Sequence, residues 1–305
     1  MSPDYYTLGL IGYPLDHSLS PRLHTAALRA CKLSGDYRLI PVNPSEHAEA
    51  KLQDLLEEVR QGRLQGLNVT IPYKQTILPF MDRLSPTAQG VGAVNTIYFR
   101  NGELVGENTD AAGFSADLSK NFSPFIHREK GGVSLLQDDT LPPKTALVLG
   151  AGGSARAVVY ALCQAGWRLI VAARRVEQAH ELAAAFSTEK HLVSGVELSH
   201  SALQDVILRH NICLIVNATP LGMHPYQDAS PWPIGLAFPL HAFIYDLVYN
   251  PIETILLQQA RLAGLEAING LGMLLEQAAL SFELWTGIRP PLEVLHVALQ
   301  EGKQI

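Results

Sequence analysis

The chain has 305 residues, more than one hydrophobic core usually serves, so its length predicts two domains. Apolar residues make up 47%, charged residues make up 17%, and the net charge is -6; these values exclude a disordered chain and argue against a nucleic-acid partner. The cysteines, Cys31, Cys163 and Cys213, are far apart and odd in number, which argues against disulfides and a Cys-rich zinc site and favours a reducing cytoplasm.

Short apolar runs alternate with helical stretches up to about residue 110, and this alternation predicts an α/β unit. The predicted strands are 8–12, 37–42 and 66–71. Residues 96–99 and 103–106 flank Asn101-Gly102, and Asn-Gly between two such runs is the strongest short-range signal for a β-hairpin.

Two helix boundaries and one loop can also be predicted. A helix is expected to start at Ser20-Pro21, with Ser20 as its cap and Pro21 in its first turn. Residues 119–144 contain glycine and proline pairs and little apolar periodicity, which predicts a mobile loop or insertion. A last helix is expected from near Gly270 to a stop at Gly287.

A glycine-rich loop marks the second half of the chain. The apolar run 145–149 predicts a buried parallel strand, and it leads directly into Gly150-Ala151-Gly152-Gly153-Ser154-Ala155 and a helical pattern. This strand, loop and helix are typical of dinucleotide binding, because glycines allow a tight turn and close approach of a pyrophosphate to the helix start. The alternative is a tight turn that binds no ligand.

The next strand ends at Arg174-Arg175, where an acidic residue would normally accept the ribose hydroxyls of NAD. Two guanidinium groups favour the 2'-phosphate of NADP instead, although a pair of solvated surface arginines is the alternative. The predicted strands 211–216 and 242–248 lead into loops that carry Thr219, Met223 and Tyr249. We expect these residues near a ligand, or else as simple turn residues.

Lys74 and Asp110 stand well upstream of the glycine loop. A chain that only bound a dinucleotide would have little use for a proton-transferring pair, whereas a dehydrogenase moves a proton whenever a hydride moves. The pair therefore favours an enzyme, and the alternative is a surface salt bridge worth no more than about 1 kcal/mol. No histidine spacing indicates a metal site or a Ser-His-Asp triad, so we expect no metal.

Several segments together resemble the shikimate/quinate dehydrogenase family, and shikimate dehydrogenase in particular. They are Gly12-Tyr13-Pro14, 18–21, 68–74, 92–96, 108–110, the loop at Gly150, 217–223 and 270–277. The resemblance implies NADP-dependent, reversible reduction of 3-dehydroshikimate to shikimate in aromatic amino-acid biosynthesis. It also implies an N-terminal α/β substrate domain, residues 1–109 completed by helices from 271–305, and a Rossmann-type, doubly wound parallel-sheet cofactor domain, residues 110–270, with the active site in the cleft between them.

The resemblance also implies a role for each matching residue. Lys74 and Asp110 would be catalytic, and metal ligands would be absent. The substrate-binding residues would be Ser18, Ser20, Asn68, Thr70, Lys74, Asn95, Asp110, Tyr249 and Gln277. The cofactor-binding residues would be Gly150, Ala151, Gly152, Gly153, Ser154, Ala155, Arg174, Arg175, Thr219, Met223, Leu247, Gly270 and Met273.

One motif departs from the family pattern. Many NADP-dependent members end the second strand of this domain with Asn-Arg-Thr and a further arginine, whereas this chain has Ala173, Arg174, Arg175 and Gln178. Dual or weaker cofactor preference therefore remains open. The rival interpretations are a quinate/shikimate dehydrogenase that uses NAD or NADP, and a non-catalytic dinucleotide-binding regulatory module.

The expected partners follow from the same observations. The N-terminus Met1-Ser2-Pro3-Asp4 carries no basic stretch typical of a signal peptide. No apolar run approaches the roughly 18 to 20 residues that span a bilayer. We therefore expect a cytoplasmic protein with a small-molecule substrate and neither a nucleic-acid nor a membrane partner. The oligomeric state stays open, with a homodimer as one alternative.

Overall fold

The computed structural model describes residues 3–129 and 144–300. The chain divides into two compact units. The first unit consists of Met1–Gly113 and Leu275–Ile305, and the second unit consists of Phe114–Leu274. In the described ranges, no helix combines the length and the apolar character needed to cross a membrane.

The first unit contains a six-stranded sheet in the order β2-β1-β3-β5-β6-β4. Its strands are β1 (Tyr6–Gly12), β2 (Gly35–Pro41), β3 (Gly66–Val69), β4 (Arg83–Leu84), β5 (Thr96–Arg100) and β6 (Glu103–Glu107). Strands β1, β2 and β3 are parallel, whereas β5 is antiparallel to β3 and β6. The predicted hairpin is confirmed, and Asn101 and Gly102 in its turn both have positive φ angles of 56° and 83°, as a type I′ turn requires.

Helices cover this sheet through a core of buried aliphatic side chains. The first α-helices in chain order are α1 (Ser20–Ala30), α2 (Ala48–Arg60), α3 (Pro86–Val91) and α4 (Thr109–Glu129), of which α4 continues into the second unit. In α2, Leu52, Leu56 and Val59 are buried, and their spacing of four and three residues places them on one side of the helix. That side packs into the core beside Leu67 of β3.

The expected start of α1 is wrong in one respect. Ser20 is the first helical residue, and Leu19 occupies the cap position with helical backbone angles and no side-chain cap. Ser18 supplies the side-chain hydrogen bond at this helix start instead: its Oγ accepts from the Ser20 N–H at 3.3 Å. Pro21 lies in the first turn as expected.

The expectation of a loop from residue 119 is also wrong for residues 119–129, which belong to α4. Phe114, Leu118 and Phe122 lie four residues apart and are all buried, so one face of the helix contributes to a core. The rest of the expected loop, residues 130–143, lies outside the described residues.

The second unit contains a parallel sheet in the order β12-β11-β10-β7-β8-β9. Its strands are β7 (Thr145–Leu149), β8 (Arg168–Ala173), β9 (Val193–Glu197), β10 (Ile212–Asn217), β11 (Phe243–Asp246) and β12 (Ala267–Asn269). Its further helices are α5 (Gly153–Gln164), α6 (Val176–Phe186), α7 (His200–Arg209) and α8 (Ile255–Leu262). Numbered within this unit alone, the strand order is 6-5-4-1-2-3, the doubly wound arrangement that the sequence predicts.

Two helices complete the described chain, α9 (Leu271–Thr286) and α10 (Leu292–Gln300). The helix predicted from near Gly270 to Gly287 is confirmed as α9, but it is not the last one, since α10 follows. Gly287 comes directly after α9 and has a φ of 77°. This left-handed conformation is available to glycine at little cost and explains the stop.

An unusual buried histidine lies where α9 packs in the first unit. The ring of His24 in α1 stacks on Tyr37, with centroids 4.4 Å apart, and also contacts Phe282 and Trp285. Its Nε2 has no hydrogen-bond partner in the described residues. Burial lowers the pKa of His24 from 6.5 to about 3, and the nearby side chain of Asn68 opposes that shift only in part.

Replacing His24 with phenylalanine should make the protein less sensitive to acid. The unfolded chain takes up a proton at this residue as the pH falls through 6.5, while the folded protein resists protonation down to about pH 3. Because of this difference in proton uptake at His24, the free energy of unfolding falls by roughly 2 kcal/mol between pH 7 and pH 5. Denaturant titrations of wild type and His24→Phe at both pH values would measure this difference.

The exposed His296 of α10 provides the control, because His296→Phe should leave the acid sensitivity of the wild type in place. An equal loss of stability in His24→Phe and wild type between pH 7 and pH 5 would contradict the claim that the folded protein keeps His24 unprotonated in this range.

Candidate functional site

The buried pair Lys74 and Asp110 is the centre of the polar site in the first unit. Lys74 Nζ lies 2.7 Å from Asp110 Oδ2, and the two side chains are only 12% and 8% exposed. Asp110 belongs to the first turn of α4, where the unpaired N–H groups of the helix favour a negative charge. The backbone at Lys74 is held too, because its carbonyl accepts from Val94 N at 2.7 Å.

Asn108 fixes the start of α4 and with it the position of the carboxylate. Its Oδ1 accepts from Ala111 N at 3.1 Å, and its Nδ2 donates to Ala93 O at 2.9 Å. The first contact is a helix cap, which satisfies an N–H that would otherwise lack a partner. Asn108 therefore connects the turn after α3 to the helix that carries Asp110.

Asn95 holds the second oxygen of the carboxylate. Its Nδ2 donates to Asp110 Oδ1 at 2.9 Å and to Thr109 Oγ1 at 2.9 Å. Its Oδ1 accepts from Thr109 N at 2.8 Å. Both amide protons of Asn95 are thus used within the protein, and each oxygen of Asp110 has its own partner.

Asn68 is held in a similar way. Its Oδ1 accepts from Tyr37 Oη at 2.8 Å, and its Nδ2 lies 3.1 Å from Asn95 O and 3.1 Å from Ser281 Oγ. The protein therefore satisfies both amide protons of Asn68, and its amide oxygen already accepts one hydrogen bond.

Sequence reasoning missed three hydroxyl groups in this network. Thr96 Oγ1 and Ser281 Oγ are 2.8 Å apart, and Thr109 Oγ1 lies 3.1 Å from the same serine oxygen. All three residues are buried. The only available signal for Ser281 was its place four residues after Gln277, since both then lie on one side of α9; its Oγ donates to the Gln277 carbonyl at 3.0 Å.

Hydrogen bonds thus join four predicted residues of the site, Asn68, Lys74, Asn95 and Asp110. The other predicted substrate residues of the first unit are partly exposed and lie at the N-terminal end of α1, after β3 and on α9. They are Ser18, Ser20, Thr70 and Gln277. Tyr249 belongs to the second unit, where burial raises the pKa of its hydroxyl.

The glycine loop of the second unit leads from β7 into α5. Gly150 has a φ of 110°, and a Cβ at this position would lie 2.9 Å from Ala218 O, so glycine is required for both conformation and space. Gly152 differs, because a Cβ there would meet no atom within 4 Å. The exposed backbone at Gly152 therefore borders open space, at the start of a helix whose N–H groups suit an anion.

The loops that follow β10 and β11 adjoin this glycine turn. Asn217 Oδ1 accepts from Thr219 N at 2.9 Å and from Thr219 Oγ1 at 2.7 Å. Leu247 N donates to Asn217 O at 2.9 Å, and a Cβ on Gly270 would lie 2.2 Å from Leu247 O. Thr219, Leu247 and Gly270 are therefore parts of one packed edge at the carboxyl ends of the strands, where doubly wound sheets bind ligands.

The remaining predicted cofactor residues differ in exposure. Arg174 and Arg175 directly follow β8, and both are exposed. Met223 is 38% exposed, whereas Met273 is 7% exposed. Two exposed guanidinium groups, an open glycine backbone and a helix that starts at a glycine cap suit a dinucleotide that carries an additional phosphate. In residues 3–129 and 144–300, no cluster of three or more potential metal ligands is present.

Family models match three segments of the chain. The model for the shikimate dehydrogenase substrate binding domain matches residues 10–97, the shikimate/quinate 5-dehydrogenase model matches 135–215, and the shikimate 5'-dehydrogenase C-terminal domain model matches 270–300. The shikimate dehydrogenase (NADP(+)) of Carboxydothermus hydrogenoformans is 40% identical over 291 residues, which is 95% of each chain.

Solved structures show the same relationship. Shikimate 5-dehydrogenase from Thermus thermophilus, determined with NADP(H) and shikimate, is 37% identical, and the alignment covers 97% of this chain and 99% of that chain with a TM-score of 0.76. Quinate dehydrogenase from Corynebacterium glutamicum, determined with NAD, is 31% identical, with 98% and 100% covered and a TM-score of 0.80. The chain belongs to the shikimate dehydrogenase family.

Proposed function

We propose that this protein catalyses the reversible, NADP-dependent reduction of 3-dehydroshikimate to shikimate. The observation that carries the proposal is the buried ion pair of Lys74 and Asp110, in a chain whose relatives are named shikimate dehydrogenase (NADP(+)). Each oxygen of the Asp110 carboxylate has its own partner, Lys74 for Oδ2 and Asn95 for Oδ1. In this assignment the first unit binds the substrate and the second unit binds the coenzyme.

Lys74 supplies the proton chemistry. Its ammonium group polarises the substrate carbonyl and gives a proton to the oxygen during reduction, and the neutral amine takes that proton back during oxidation. Asp110 orients the lysine and balances its charge. Since Lys74 Nζ and Asp110 Oδ2 are in contact, the two residues act together in the proton transfer.

The other polar residues of the first unit suit a small polyhydroxylated acid. Ser18 and Ser20 lie at the start of α1, where hydroxyls and the positive end of the helix can hold the substrate carboxylate. Asn68 offers its amide oxygen to a ring hydroxyl, since its protons are used internally. We assign Thr70, Asn95 and Gln277 to the remaining substrate contacts; Tyr249, which belongs to the second unit, stays a predicted substrate residue.

When bound, NADPH supplies the hydride. The segment Gly150–Ala155 holds the pyrophosphate at the start of α5, and Arg174 and Arg175 hold the 2'-phosphate. The other residues that we assign to the coenzyme are Thr219, Met223, Leu247, Gly270 and Met273. The packing of Gly150 against the 217–223 loop supports placing Thr219 beside the glycine turn.

A quinate/shikimate dehydrogenase with NAD or NADP is the second candidate. Two observations favour it: the related Corynebacterium glutamicum enzyme is a quinate dehydrogenase bound to NAD, and residue 178, where many NADP-dependent members have a further arginine, is Gln178. Turnover of shikimate and quinate with each coenzyme separates the candidates. The first proposal requires the highest kcat/KM for shikimate with NADP.

The cytoplasm is the compartment that fits this function. Cys31, Cys163 and Cys213 are all described and all carry free thiols, as is usual in a reducing compartment. Burial raises the pKa of Cys163 to about 11, so this thiol resists ionisation and oxidation at neutral pH.

Replacing Lys74 with alanine should abolish most turnover while coenzyme still binds. Loss of the proton-transferring group lowers kcat by roughly 10²-fold or more, whereas the second unit keeps its binding residues. NADPH formation from shikimate gives kcat, and a fluorescence titration gives the Kd for NADPH.

Lys51→Ala is the matched control, because Lys51 is exposed on α2 and its Nζ donates to the backbone carbonyl of Pro41, outside the site. Equal turnover in wild type and Lys74→Ala would remove Lys74 from the mechanism. A wild type that binds NADP but never oxidises shikimate would favour the regulatory-module interpretation.

Two alanine substitutions in the glycine loop should affect different properties: the affinity for NADP at Gly152 and the stability of the fold at Gly150. Gly152→Ala should keep the thermal stability of the wild type, because its Cβ enters open space, but that Cβ should weaken NADP binding at least tenfold by blocking close approach of the pyrophosphate. Gly150→Ala should lower the free energy of unfolding by roughly 1 to 3 kcal/mol because of its positive φ. Calorimetry measures both quantities, and unchanged NADP affinity in Gly152→Ala would contradict this coenzyme site.

A further inference from the structure

Asp246 is a fully buried carboxylate that no step of the proposed reaction uses. It is the last residue of β11 and is 0% exposed. In the part of the chain that the structure describes, no ion pair joins it to a basic residue. Burial raises the pKa of Asp246 to about 6, although three hydrogen bonds oppose that shift.

Three donors from three segments converge on this carboxylate. Its Oδ1 accepts from Asn217 Nδ2 at 2.8 Å and from Val248 N at 3.0 Å, and its Oδ2 accepts from Thr254 Oγ1 at 2.6 Å. Asn217 ends β10, Val248 follows β11, and Thr254 caps α8 through a bond from Leu257 N at 3.3 Å. A carboxylate suits this place because it offers two acceptor oxygens and carries no proton when ionised.

The same donors shape the edge that we assign to the coenzyme. Asn217 Nδ2 also lies 3.2 Å from Leu221 O, and its Oδ1 accepts from both Thr219 N and Thr219 Oγ1. Gly270 N donates to Val248 O at 3.2 Å. A shift of the Asp246 carboxylate would therefore displace the loops on both sides of β11 at once.

We propose that Asp246 is a positioning residue for the coenzyme, which it does not touch: its carboxylate locks the loops that follow β10 and β11 in the arrangement that receives NADP. This inference rests on the proposed function, because it takes the carboxyl edge of the second sheet as the coenzyme site. A purely structural role would affect folding without a selective effect on NADP.

The test compares variants by direct binding rather than by turnover. Thr254→Val removes the hydroxyl that contacts Asp246, Thr254→Ser keeps it, and Asp246→Asn keeps the shape but brings two amide protons among three donors. Ser199→Ala is the matched control, since Ser199 caps α7 in the same unit with a bond from Ala202 N. Calorimetric titration gives the Kd for NADP and, separately, for shikimate.

Thr254→Val and Asp246→Asn should each raise the Kd for NADP roughly tenfold, while the Kd for shikimate changes by less than about twofold. Thr254→Ser should restore NADP binding, and Ser199→Ala should lower the melting temperature without changing either Kd. If Asp246→Asn fails to fold, the two Thr254 variants still decide the question.

Wild-type affinity for NADP in Thr254→Val, or equal weakening of NADP and shikimate binding, would overturn the role of Asp246. These results leave the proposed function intact if the wild type still oxidises shikimate with NADP. A wild type that fails to bind NADP would remove both proposals, and one that binds NADP without turnover would remove only the reaction.

Discussion

The ion pair between Lys74 and Asp110 imposes the strongest constraint on the first unit, because two charges so poorly exposed to water are stable only when each is fully hydrogen-bonded. The fold meets this requirement for the carboxylate with groups from separate elements. Helix α4 presents its N-terminal end, Asn108 fixes that end, and Asn95 supports the second carboxylate oxygen. Removing Asn95 would leave one oxygen of the carboxylate without its hydrogen-bond donor, so the pair and its surroundings form one structural unit.

In the second unit, buried hydrogen bonds hold loops in place instead of supporting an ion pair. Its sheet places several loops at one edge, and loops are more mobile than the strands that carry them. Buried polar groups at the strand ends, above all Asn217 and Asp246, hold these loops through directional hydrogen bonds. The hydrogen bonds of Asn217 and Asp246 therefore hold the proposed coenzyme site rigid from below its surface.

Much of the fold could be predicted from sequence because its signals are local. Asn101-Gly102 specified the hairpin, and the apolar run before Gly150 specified a strand followed by a helix. Long-range contacts could not be predicted in this way: Thr96 and Ser281 are 185 residues apart in sequence yet share a hydrogen bond. The cap expected at Ser20 fails for a local reason, since the helical backbone of Leu19 moves the helix start by one residue.

The central claim, that Lys74 and Asp110 act as one proton-transferring unit, is tested most directly by a double-mutant cycle on kcat/KM for shikimate. The four proteins are the wild type, Lys74→Ala, Asp110→Ala and the double variant. Residues that act as a unit give strongly non-additive losses, so the double variant should be about as slow as the slower single variant. Losses that multiply in the double variant would show two independent contributions and contradict the account.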